Sequence, residues 1–182
     1  MLRNVFFVSL MLICGIAFGQ AAAQVGSINK YNESINEAIG QGKLYRHQVV
    51  LNHSGFGKGK IWGNLSKYQE TLDYYFEVLD GNVILRKLII VSDVAARKSY
   101  SDLLFNTNGE LALAYDDYDM MSTGDNPKRY HFIEKRLVQI EKEGFATDQT
   151  NDEDAVEAVE VLNRAANYKK VFDNLANIAR DL

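Results

Sequence analysis

The chain has 182 residues, a formal charge of −4, ten tyrosines, one proline and one cysteine. That length can bury a real core, and the aromatic content excludes a disordered chain. The mildly acidic balance argues against nucleic-acid binding, which usually shows a basic stripe.

Residues 1–23 read as a secretory signal peptide. Arg3 supplies the positive start, Val5–Phe18 the apolar run, and Ala21-Ala22-Ala23 a small-residue cleavage site. The run is shorter than the roughly 20 residues a membrane span needs. Ile13 precedes Cys14 where a lipoprotein signal carries a small residue, so ordinary cleavage near Ala23 is expected. The mature chain then lacks cysteine, with no disulfide, thiol nucleophile or thiolate metal site, and carries no transmembrane segment. Losing Arg3 takes the basic count from 20 to 19 against 24 acids, so its charge becomes −5. A bacterial periplasmic or extracellular protein fits these features.

From residue 24 onward the pattern predicts one α+β domain. Ser27 is suited to cap a helix over 27–40, with Ile28, Tyr31, Ile35, Ala38 and Ile39 at helical spacing and Gly40 and Gly42 beyond. A meander of seven to eight antiparallel strands is expected over 44–142. Its first strand, Leu44–His53, sets Tyr45, His47, Val49, Leu51 and His53 on one face. Ser54–Lys60 is a glycine-rich loop that matches neither the P-loop nor the dinucleotide fingerprint. A second strand begins at Lys60, carries Ile61 and Trp62, and reaches Tyr68.

The strongest hairpin is Tyr74–Val91, turning at Asp80-Gly81, a dipeptide suited to positive φ. A two-residue turn there sets Val78 against Val83, Phe76 against Leu85 and Tyr74 against Lys87. The outgoing strand is apolar on both faces, which predicts cover from both sides at Leu88–Val91. A second hairpin joins Ser99–Phe105 to Glu110–Tyr115. The loop Thr107-Asn108-Gly109 sets Phe105 against Leu111 and Leu103 against Leu113, with glycine in the left-handed position. Asp116–Pro127 reads as a polar loop. A third hairpin, Arg129–Ile133 and Arg136–Glu141, turns near Glu134-Lys135 without glycine.

A linker is expected at Glu143–Thr150, then a capping box from Thr150 to Glu153 and a helical segment over 151–181. Ala155, Val159, Leu162 and Ala166 line one face of it. Val171, Phe172, Leu175, Ile178, Ala179 and Leu182 line roughly the opposite face. That switch predicts a kink or break near Asn167–Lys170, or a helix touching two surfaces. Both terminal helices are expected to cover one face of the sheet.

Signals for chemistry are sparse. His47 and His53 would stand about 20 Å apart on a regular strand. His131 is isolated, and no H-E-x-x-H, G-x-S-x-G or S-x-x-K is present. Asp116, Asp117, Asp119 and Asp125 offer hard oxygens for a cation, without the EF-hand spacing. Trp62, Tyr68 and Tyr75 are the candidate ligand- or partner-facing aromatics. No cofactor is expected.

Three stretches repeat an aromatic strand ending in Phe, a turn and an aliphatic strand: YYFEVLDGNVIL, LLFNTNGELAL and RYHFIEKRLVQI. This layout resembles uncharacterised exported bacterial proteins whose meanders repeat Y-Y-F-x-x-x-G-x-L. The resemblance implies an exported meander domain and transfers no catalytic residue. Lys135 stands where those repeats carry glycine. The expectation is a non-enzymatic envelope protein that binds a small molecule or a protein through its sheet face or end loops. The alternatives are an inhibitor or chaperone-like module acting on another protein, and a metal-dependent hydrolase.

Overall fold

The computed structural model describes residues 22–52, 68–94, 97–117, 127–148 and 150–180. Helix α1 is described over residues 22–40. The strands are β1 (Tyr45–Asn52), β2 (Tyr68–Leu79), β3 (Asn82–Val94), β4 (Arg97–Phe105), β5 (Leu111–Asp117), β6 (Lys128–Ile133), β7 (Arg136–Lys142) and β8 (Phe145–Thr147). Helix α2 follows over Asp152–Arg180. The strands pair in sequence order, each antiparallel to the next. Among the described residues β1 pairs only with β2 and β8 only with β7, so the sheet is open. No helix among them is long and apolar enough to cross a membrane.

The hairpins explain the sequence repeat. Phe76 faces Leu85, Phe105 faces Leu111 and Phe132 faces Leu137. Immediately beside each Phe–Leu pair the register shifts, leaving Arg86, Ala112 and Val138 as extra residues on the second strand. Each is a β-bulge, which bends the strand and increases its twist. The central bulge changes one expected pairing: Tyr75 faces Lys87 and Tyr74 faces Leu88, while Val78 still faces Val83. The second bulge sets Leu103 against Ala114 and Leu104 against Leu113.

Turn chemistry fits as well. Asp80 and Gly81 have φ of 51° and 77°, the paired positive values of a type I′ turn. Glu134 and Lys135 adopt the same geometry without glycine, at 49° and 61°. The stretch expected as a linker holds another such turn, Glu143-Gly144 at 55° and 79°, and it returns the chain as β8. The loop 107–109 closes as expected, with Gly109 at φ 74° and the Asn106 amide donating to the Glu110 carbonyl over 2.8 Å.

The two helices cover opposite faces, not one. Ile35 of α1 packs on Leu104 and Leu113. Ala158, Val161, Ala165 and Phe172 of α2 pack with Leu88, Leu103, Ala114 and Tyr130 on the other side. The strand centre is therefore covered in both directions, with Leu85, Arg86, Lys87 and Leu88 of β3 all buried, while Val91, expected to be covered from both sides, stands exposed. Ser27 does not begin α1; it lies inside the helix and donates to the Ala23 carbonyl over 3.0 Å.

Helix α2 is continuous for 29 residues, with no break at Asn167–Lys170. Its buried side chains form one stripe: Asp154, Ala158, Val161, Ala165 and Phe172. The larger Val156, Val159 and Val171 stand exposed. Small residues win this stripe because they let the helix axis approach the sheet closely. The cap lies one residue later than expected. The Asp154 amide donates to Asn151 Oδ1 over 2.8 Å, and the Asn151 amide donates to Asp154 Oδ2 over 3.4 Å, the reciprocal pattern of a capping box.

The stripe sits over one row of the sheet. Tyr74, Leu88, Leu103, Ala114, Tyr130 and Ile140 are mutual neighbours across β2 to β7, and every one is 0% exposed. Asp154 contacts Lys142 of β7, and Phe172 stacks on Tyr74 of β2 at 5.3 Å. That stretch of helix is about 27 Å long at ~1.5 Å per residue. The strands it crosses span about 24 Å at ~4.8 Å each. Helix α2 therefore lies across the strands rather than along them.

Candidate functional site: an apolar pocket at the sheet edge

The row beneath α2 ends on β1 at His47, which faces Tyr74. Here the contact between helix and sheet opens into a pocket of about 300 Å³. Phe76, Val83 and the Gly81 turn form its sheet side, while Phe172, Leu175 and Ala176 form its helix side. His47 is the one ionisable side chain on its wall among the described residues. Aromatic rings lead into it: Phe172 meets Tyr74 at 5.3 Å and Phe76 at 5.4 Å, and Phe76 stacks on Tyr45 at 5.6 Å. Tyr45 is 62% exposed, so this ring series runs from the core to the surface. Tyr74 is held by its hydroxyl, which donates to the Tyr168 carbonyl over 3.4 Å. Burial pushes that phenol up to about 12, so it remains a neutral wall of the core.

On the loop-proximal side of the same face, charged pairs tie α2 to successive strands. Lys142 pairs with Asp154, Lys128 with Glu157 at 2.6 Å, and Tyr168 donates to Glu70. The most buried member is Asp116. It accepts from Ser101 Oγ at 2.5 Å and from Arg164 Nη2 at 2.7 and 2.5 Å. Its carboxylate is thus engaged on both oxygens by a cation of the chain itself.

The α1 face carries a different polar layer. Lys87 is 1% exposed and donates to Asn32 at 2.9 Å and Asn36 at 2.5 Å, and it pairs with Asp102 at 2.8 Å. Burial raises the Asp102 carboxyl above its ordinary value, against the pull of Lys87. His131 Nε2 lies 2.9 Å from Asn29 Oδ1, while Nδ1 is buried without a hydrogen-bond partner among the described residues. Burial, and next the nearby Arg129, lower this imidazole to about 4. Neutral His131 donating through Nε2–H satisfies the geometry; a second ring proton would have no acceptor. Above this layer Tyr100 and Tyr115 meet edge to face at 6.1 Å, and Arg129 stands 5.7 Å over the Tyr115 ring.

Several residues singled out from sequence are separated by this geometry. Asp116 points toward α2, while Asp117 faces the other way, opposite Tyr100. Asp119, Asp125, Trp62 and His53 lie outside the described residues. Among the described residues no group of three or more His, Cys, Asp or Glu could hold a metal ion. Tyr68 opens β2 opposite Val94, and Tyr75 lies half-buried on the α1 face opposite Lys87. Tyr75 is not on the pocket wall. Of the pocket residues, the sequence marks Phe76, Phe172 and Leu175 only as apolar positions on their own elements. What brings them together is the length of α2, which carries it past β2.

Comparison with protein-family models, with curated proteins and with solved structures finds no match to this chain.

Proposed function

We propose that this chain is an exported, non-enzymatic binding protein that holds a small apolar ligand between the end of α2 and the β2–β3 hairpin. The observation that carries this reading is the pocket wall: two phenylalanines, a valine, a leucine and an alanine around about 300 Å³. An apolar protein cavity of ~150 Å³ holds benzene. Twice that space admits a fused bicyclic ring or a short acyl chain. Ligand pockets combine apolar walls with few polar groups that orient the ligand. Here His47 is the orienting group, and it favours a ligand with one polar end. The charged start, apolar run and small-residue site of residues 1–23 support export, which would bring such a protein to exogenous small molecules.

The test is titration with 2-naphthol and octanoate, read by calorimetry, on the wild type and Ala176→Phe. Ala176 is half-buried on the helix side of the pocket, so the added ring enters the cavity. Saturable binding by the wild type, weakened at least tenfold in the variant with unchanged circular dichroism, is the expected result. Equal binding by both proteins, or none by the wild type, would overturn the proposal.

A further inference from the structure

Helix α2 outruns the sheet. Phe172 sits over β2, and Arg180 is eight residues further along the helix, about 12 Å at ~1.5 Å per residue. Strand β1 lies only one spacing beyond β2, ~4.8 Å. The last two turns of α2 therefore project about 7 Å past β1, more than one strand width. Beneath this ledge runs the outer edge of β1, unpaired among the described residues. Exposed apolar surface collects here. Of the ten large apolar side chains that stand exposed among the described residues, Tyr45, Val50, Val78, Leu79, Val171 and Ile178 lie on β1, the β2–β3 turn and the C-terminal part of α2, with Val50 and Leu79 on the α1 side of this edge. Such a concentration marks an interaction surface, and an open strand edge is a template for another strand.

We infer that the occupant is a second copy of this chain, paired antiparallel through β1 to make one continuous sheet. The ledge stands over His47, near the start of β1. A two-fold axis normal to the sheet keeps both α2 helices on one face and pairs residues of like orientation. Centred on Gln48 or on Val49, it sets His47 opposite Val49 or Leu51 of the other copy. Those two side chains are half-buried and apolar, so each ledge covers the apolar half of its partner's β1. The one permanently charged residue of the strand, Arg46, is already held by Asp73 at 2.8 Å. In either register it faces Val50 or Asn52, never its own copy. The ledge is one strand wide, which suits one added strand and no more. This inference rests on the edge and the overhang and does not require a ligand in the pocket.

The test is the mass in solution by light scattering across the micromolar range, for the full chain without residues 1–23. The wild type is expected at twice the chain mass. Val50→Lys combined with Ile178→Lys changes only exposed side chains, so it is expected at the chain mass with unaltered circular dichroism. Amide exchange adds a local readout, in which β1 amides gain protection as concentration rises while β8 amides do not. A wild type that stays at the chain mass overturns the inference. So does a double variant that still dimerises, or concentration-dependent protection confined to β8.

Discussion

The Asp116–Arg164 pair offers a sharp test of how α2 is fastened, because its two members differ in access to water. The Asp116 side chain is 0% exposed, and that of Arg164 is 27% exposed. Removing one partner of a buried pair costs about 3–5 kcal/mol, since the other charge is left uncompensated. Asp116→Asn keeps the side-chain volume and can still accept from Ser101. The guanidinium it leaves behind reaches water, so its cost should fall below that range, at about 2–3 kcal/mol. Arg164→Met strands a carboxylate with no solvent contact, and its cost should sit at the top, about 4–5 kcal/mol. The double variant leaves a neutral amide beside a thioether. It should be more stable than Arg164→Met alone, giving a coupling energy of at least about 2 kcal/mol. Urea unfolding at neutral pH, with midpoint and slope both fitted, measures all four proteins. If Asp116→Asn costs as much as Arg164→Met, or if the two effects simply add, the asymmetry of burial is not what sets the energetics here.

Two further outcomes follow from geometry already described. Glu134→Asn with Lys135→Gly removes two non-glycine, non-asparagine residues from left-handed backbone, where each side chain costs roughly 1–2 kcal/mol. After the added unfolded-state freedom of glycine, a net gain of about 1 kcal/mol in urea stability is expected, and a loss would refute the turn assignment. His131 has a folded value near 4 against an ordinary 6.5. The unfolded chain therefore binds this proton first as pH falls. The contribution is whole above about 6.5 and is lost between there and 4, amounting to at most about 3 kcal/mol. Asp102, raised by burial, has the opposite sign, so the informative quantity is the difference between wild type and His131→Gln across that window. A difference that does not change with pH would show that His131 is free to protonate in the folded chain.

Local signals made the hairpins readable. Asp80-Gly81 and Asn108-Gly109 announced their turns, and the pairs Val78–Val83 and Phe105–Leu111 are as the alternation implies. The central bulge was hidden because it balances distant partners. Arg86 is accommodated by Glu77 across the hairpin, and the turned-in Lys87 finds its partners on other elements, Asn32 and Asn36 of α1 and Asp102 of β4. In isolation Lys87 reads as a break in an apolar strand. Leu162 packs against the core as its spacing implies, but Val159 stands exposed, because close approach to a sheet favours Ala158 and Ala165. β8 escaped notice because three residues carry no periodicity. The pocket belongs to no stretch of sequence: it exists where a 29-residue helix leaves a hairpin that begins a hundred residues earlier.

The row of side chains under α2 bears on the order of assembly. Among the described residues every strand pairs only with its neighbour in sequence, so each hairpin can close from local information, the circumstance in which folding is fast. The helix has no such freedom. Its docking surface takes one residue from each of six strands, Tyr74 through Ile140, and a single slipped hairpin would break that line of contacts. Seating of α2 thus acts as a proofreading step, one that succeeds only on a sheet whose three bulges are all in register.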